Sequence, residues 1–166
     1  MTSEFKWDWV VKATHWTVAG LFFTNFFITS PGSDTHELTG YIVIAAIVIR
    51  LLWGLVTTSP ARLSRFAPSV PSAIEHLKEV LHEKRDSHVG HNPAGAIMIW
   101  AMWTLILGTA ISGWSMETDM FWGVGWVEEV HETLANLTML AVTIHVSAII
   151  VMTKLVKKNY LKSMLP

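Results

Sequence analysis

Long apolar runs separated by polar connections dominate the chain and predict its main elements. The first run, 10–28, is predominantly apolar, contains His15, and is long enough to cross a bilayer. The second, 36–56, is interrupted by a single charge, Arg50. A polar stretch, 57–92, follows, rich in Pro, Ser and charged residues. Within it, Ser72 and Glu75 have capping-box spacing, and Ile74, Leu77 and Leu81 recur at helical spacing opposite Glu75, Lys78 and Glu79. That pattern predicts a short amphipathic helix lying on the membrane surface. Asn92 and Pro93 form a cap and first-turn pair for the third run, 93–114. A second polar connection with Gly123 and Gly125 among aromatics leads to the fourth run, 131–156, which ends in Lys154, Lys157 and Lys158. No internal repeat or low-complexity tract is present. The expectation is a single all-α domain over 1–166: an integral membrane four-helix bundle.

Composition fits that class. The chain has 166 residues, of which 51% are hydrophobic and 15% charged, less charge than a soluble domain of this size carries. There is no cysteine, which excludes disulfides, thiolate metal sites, iron–sulfur clusters and covalent c-type haem. The lead through Lys12 is mixed in charge and broken by tryptophans, so it reads as part of the mature protein rather than a signal peptide. The net charge of -1 says little, but its distribution orients the chain. All twelve Lys and Arg lie at the N-terminus, the end of span two, the loop between spans two and three, or the C-terminus. The other two connections and their helix ends carry Asp34, Glu37, Glu117, Asp119, Glu128, Glu129 and Glu132, with no basic residue. The positive-inside rule then places both termini and the amphipathic helix in the cytoplasm. In a bacterial inner membrane the acidic face is periplasmic.

Two histidines sit on the fourth run. His131 and His145 are fourteen residues apart, roughly 21 Å along a helix and within about 40° of one face. His36 opens span two at the same outer surface as His131, and His15 lies just inside mid-depth, as does His145. So His15 can meet His145, and His36 can meet His131, in two layers roughly 20 Å apart along the membrane normal. A lone intramembrane histidine is ordinarily satisfied by a neighbouring helix or by water. Four of them matched in depth, two by two, point to function. Two neutral imidazoles on opposite sides of a plane are what a six-coordinate haem iron requires, and a bundle core can hold such a cofactor. Isolated zinc or copper sites would need more ligands in each layer. Arg50, fourteen residues after His36, shares its face at the inner layer. It is placed to pair with a haem propionate or to snorkel to the headgroups. Gly20, Gly40, Gly54, Gly108 and Gly113 remove bulk for a flat macrocycle or for close helix packing alike.

Several local patterns recur together in one known family. They are His15-Trp16, His36 with Gly40-Tyr41, Arg50 with Trp53-Gly54, the run Gly90-His91-Asn92-Pro93 with Gly95, His131-Glu132, and His145. The whole chain resembles the bacterial cytochrome b561 family, related to the cytochrome b subunits of nickel-iron hydrogenases. The resemblance implies two b haems, His15 and His145 on the inner one and His36 and His131 on the outer. It also implies electron passage between the periplasmic side and a quinone pool, ubiquinone or menaquinone.

His76, His82 and His88 read as solvated loop residues. His91, at the cytoplasmic start of span three, is a candidate for contact with a propionate or a quinone carbonyl. The outer acids are a solvated face or a docking surface. Superoxide, an anion, would be repelled there, whereas a basic protein such as a c-type cytochrome would be attracted. The favoured expectation is therefore electron exchange between quinone and a periplasmic redox protein, in a multi-pass lipid-embedded chain with no nucleic-acid partner. If the chain is an enzyme, it is a quinone-linked oxidoreductase. The rivals are a superoxide-to-quinone oxidoreductase, the membrane anchor subunit of a hydrogenase or other dehydrogenase, and a non-redox haem or metal transport protein.

Overall fold

Side-chain caps set most of the helix starts. A computed structural model describes residues 5–165. Asp8 Oδ1 accepts from the Val11 N–H at 3.0 Å and begins α1, Trp9–Phe27. Ser33 Oγ accepts from His36 N–H and begins α2, Asp34–Val56. After a 3-10 turn at Leu63–Arg65, Ser69 caps α3, Val70–Glu83. Asn92 Oδ1 accepts from Gly95 N–H at 2.7 Å and begins α4, Pro93–Met116. The longest helix, α5, covers Gly125–Val156, and Asn159 caps the short α6, Tyr160–Met164. Each cap answers an N–H that a first turn leaves without an intrahelical partner. No strand occurs among the described residues.

Two starts differ from the sequence expectation. The amphipathic helix is capped one turn earlier, by Ser69 instead of Ser72, because Pro71 fits the first turn without needing an N–H and draws Val70 into the helix. The fourth long helix begins at Gly125, six residues before His131. Gly123, at φ 72°, supplies the left-handed turn that lets it start there, and Val127 is buried. Glu128 in the first turn complements the helix dipole, so the acidic connection becomes helix instead of loop.

Helices α2, α4 and α5 are long and apolar enough to cross a membrane. Helix α1, at 19 residues, is shorter than these, and Lys12, His15, Asn25 and its tryptophans lower its hydropathy. The short turn after Phe27 makes α1 and α2 an antiparallel hairpin, and α4 and α5 form a second. The hairpins meet where Val43 and Ile47 of α2 pack on Ile106 of α4, flanked by Val18, Leu21, Leu51 and Leu107. Gly108 of α4 faces Leu134 of α5, and a Cβ there would make ordinary contact with that side chain at 3.4 Å. At the basic end, Trp7, Val11 and Ala61 form a second cluster with Trp53 and Met164. There Trp7 N–H donates to Ser163 O at 3.1 Å and Trp16 Nε1–H to Met164 O at 3.0 Å, so both chain ends meet. Helix α3 packs on α4 through Ala73, His76 and Val80 and turns Ile74, Leu77 and Leu81 outward.

Ile47 is 1% exposed, while its neighbour Val48 is 44% exposed. Ile47→Ala opens a cavity where the hairpins meet and should cost about 2 kcal/mol or more. Val48→Ala should change little. Thermal unfolding in mild detergent checks this: a clear drop in midpoint for the first substitution and a near-neutral second.

Candidate functional site

The histidines at the acidic end are oriented by oxygen atoms of neighbouring residues. His131, two turns into α5, has its Nδ1 2.9 Å from the backbone O of Thr109 and 3.2 Å from Ser112 Oγ. A carbonyl only accepts, so His131 Nδ1 carries the proton and Nε2 keeps its lone pair. His36 Nδ1 lies 3.1 Å from Thr29 Oγ1. That hydroxyl is also within bonding distance of the Asn25 backbone and side-chain oxygens. When that hydroxyl gives its proton to Asn25, it is free to accept from His36 Nδ1–H. Asn25 also receives a short bond from Thr39 and donates from Nδ2 to His36 O at 3.0 Å, so α1 fixes the start of α2. The two imidazoles stand with ring centroids 6.0 Å apart and planes at 68°. Two imidazoles on opposite sides of one metal would have centroids about 6 Å apart, from two bonds of ~2 Å and ~1 Å from each nitrogen to its ring centre. The centroid separation of the pair matches that spacing. Gly113 makes room for the ring, because a Cβ there would come 3.0 Å from His131 Cε1.

Nearer the basic end, His15 on α1 and His145 on α5 lie within electrostatic reach of each other, both half-buried. His15 Nδ1 is buried with no hydrogen-bond partner. This pair lacks the oxygen atoms that orient the outer pair. Its helices α1 and α5 are not packed together as the two hairpins are.

Arg50 and His91 do converge. Arg50 is 5% exposed, donates Nη2–H to Ala61 O at 3.2 Å, and leaves Nη1 buried without a partner. Its guanidinium sits 5.9 Å from the Phe66 ring centre and 5.4 Å from that of Trp103. His91 stacks on Trp7 at 4.2 Å and meets Phe66 edge-on at 4.5 Å, with Nε2 buried and unpartnered. Burial, and then the Arg50 charge, push the His91 pKa down to about 3. Beside it, a cavity of about 270 Å³ is lined by Arg65, Ser69, Ser72, His88 and His91 among others. Unpartnered donors on a buried cation, next to a buried imidazole, suit an anionic oxygen or a carbonyl.

Thr109, Ser112, Thr29 and Asn25 were not singled out from the sequence. Their signal there was only the common one of small polar residues in apolar helices. The loop histidines divide. His82 is exposed and His88 half-buried, but His76 is 3% exposed, contrary to the solvated reading. It sits on the α3 face that packs against α4, because Ser69 starts the helix a turn earlier and helical spacing groups His76 with Ala73 and Val80.

The His91 shift has a pH consequence. The unfolded chain binds the proton near 6.5 and the folded chain only near 3. Stability is therefore complete above pH 6.5 and is lost as pH falls toward 3, amounting to about 1.4 kcal/mol at pH 5.5. His91→Phe keeps a ring between Trp7 and Phe66 but removes the titration. Melting midpoints recorded from pH 7.5 to 5 should fall less in the variant than in the wild type. Parallel curves would show that His91 is not held neutral.

A family model described as prokaryotic cytochrome b561 matches residues 6–166. No curated protein and no solved structure matches the chain.

Proposed function

The chain belongs to the prokaryotic cytochrome b561 family, and from that premise we propose that it binds two b haems and exchanges electrons between a periplasmic redox protein and membrane ubiquinone or menaquinone. Membership makes it a transmembrane haem b electron-transfer protein. The finer reading adds α1 as a fourth span, with both termini in the cytoplasm of a bacterial inner membrane. It assigns His36 and His131 to the outer haem and His15 and His145 to the inner one. The observation that carries it is the His36–His131 pair, 6.0 Å apart with both Nδ1 atoms committed to oxygen.

When bound, haem supplies the one-electron couple of its iron. The chain's own residues do the rest. Thr109 O and Thr29 Oγ1 hold the outer imidazoles in the tautomer that offers Nε2. The apolar faces of α2, α4 and α5 keep water from the interior. Arg50 Nη1 and His91 stand on the cytoplasmic side of the inner pair, where they can hold a propionate or orient a quinone carbonyl. On the opposite face Asp34, Glu117, Asp119, Glu128, Glu129 and Glu132 are exposed, with no lysine or arginine among them. That charge favours a basic docking partner, such as a c-type cytochrome, and disfavours superoxide.

A pyridine haemochrome assay with a reduced-minus-oxidised spectrum tests the assignment. Two b haems per chain are expected, with one spectral component removed by His36→Ala and another by His15→Ala. One haem per chain, or loss of both components from either variant, would overturn the two-layer assignment. For the partner, Glu128, Glu129 and Glu132 changed together to Gln should slow reduction by a basic cytochrome c and flatten its salt dependence. Superoxide consumption close to the diffusion limit would sink that choice of donor.

A further inference from the structure

Away from the haem-ligand candidates, the loop between α3 and α4 folds over a buried polar cluster. His76 of α3 is 3% exposed, and neither of its ring nitrogens has a hydrogen-bond partner. The His88 ring meets it edge-on with centroids 4.8 Å apart. Asp86 completes the group. One nitrogen of each histidine and one oxygen of Asp86 lie within 4.8 Å of one another. We propose that His76, Asp86 and His88 form a site for a borderline divalent transition metal, of the zinc class, on the cytoplasmic side of the protein.

The donor set selects the ion. Two imidazoles and one carboxylate suit zinc and its first-row neighbours, whereas magnesium and calcium take oxygen ligands. A fourth position falls to water. A buried imidazole with both nitrogens unanswered is costly as it stands, and a metal bond would answer one of them. Asp86 is already an anion. Burial alone would raise its pKa, but bonds from Tyr160, Asn92 and the His88 N–H outweigh that and hold its carboxyl at about 2. Those same bonds fix the ligand: Tyr160 Oη at 2.5 Å, Asn92 Nδ2 at 2.9 Å, and His88 N and Nδ1 at 3.0 Å each. The His88 Nδ1–Asp86 bond orders the two side chains before loading and would give way to a metal bond when both ligate the ion. Lys158 is the opposing charge. Its ammonium is bound to His88 O at 2.7 Å and Asp86 O at 3.5 Å, which limits affinity without occupying the ligand atoms.

The position gives the ion a role. His76 belongs to α3, Asp86 and His88 to the loop before α4, and Tyr160 to α6, which is bonded back to α1 through Ser163 and Met164. An ion here would tie four segments of the cytoplasmic end together, beside the cavity that His88 and His91 share. Loading should stabilise the folded chain by mass action.

The test uses the tag-free, haem-replete protein in detergent, stripped with a chelator and titrated with zinc chloride by calorimetry, with the metal counted by mass spectrometry. One zinc per chain with a dissociation constant of roughly micromolar or below is expected, together with a raised melting midpoint. His82→Ala, which removes an exposed histidine of the same helix, should bind as the wild type does. His76→Ala and His88→Ala should each weaken binding at least about tenfold and abolish the rise in midpoint, with the haem spectrum unchanged. The half-exposed His88 keeps the test decisive if the His76 variant folds poorly. No binding at about 100 μM zinc, or unchanged binding in His88→Ala, would overturn the proposal.

Discussion

An imidazole inside an apolar span has two ring nitrogens, and each needs a partner. The structure answers one nitrogen of each outer histidine from the protein. Thr109 and Ser112 of α4 take His131 Nδ1, and Thr29, backed by Asn25, takes that of His36. At His131, where the acceptor is a carbonyl, the proton is fixed on Nδ1 and Nε2 keeps its lone pair. This requirement shapes the packing around it. Helix α5 must approach α4 closely enough for its imidazole to reach a backbone carbonyl, and Gly113 makes room on the α4 side. Thr138, 0% exposed, continues the same seam, with its hydroxyl bonded to Leu134 O and 3.4 Å from Thr109 Oγ1.

The other end of the molecule is built differently. His15 Nδ1, Arg50 Nη1 and His91 Nε2 are all buried without a partner from the chain. Leaving such groups unanswered costs about 1–3 kcal/mol each. Of these, Arg50 and His91 are close enough for the guanidinium charge to act on the imidazole. Aromatic rings surround the cation there: Phe66 and Trp103 face Arg50, and Trp7 covers His91. A guanidinium held by ring faces and one carbonyl keeps its remaining donors pointed inward.

How much of this was legible in the sequence depends on the range of the interaction. The apolar runs, the Asn92–Pro93 start and the outer acids were readable because hydropathy, capping and charge act locally. So was the register of His36 with His131, since helix rise converts sequence distance into depth. Interactions between distant segments were not readable. Ser69 displaces Ser72 as the cap of α3 only because Pro71 belongs to the first turn. The burial of His76 depends on the face α3 turns to α4, which also carries Ala73 and Val80, while Ile74, Leu77 and Leu81 stay outward. Helix α6 and its bonds to Trp7 and Trp16 join residues about 150 positions apart, as in the Trp16–Met164 bond that spans 148. No window pattern carries that information. Family membership supports the overall class, while the pairing of individual histidines rests on the geometry.

The two ends differ in the sign of charge that serves the fold. At the basic end most cations are exposed, but two hold loops in place: Arg50 is bonded to Ala61 O and Lys158 to His88 O. Those carbonyls belong to loops that have no helix to satisfy them, so the cations hold the loops down. Asp86, the acid among them, is likewise enclosed by Tyr160, Asn92 and His88. At the acidic end, six of the seven carboxylates are exposed. No basic residue lies in that region to neutralise them. Those few enclosed charges consolidate the fold at one end, and the solvated carboxylates at the other leave a field that reaches about a Debye length into solution.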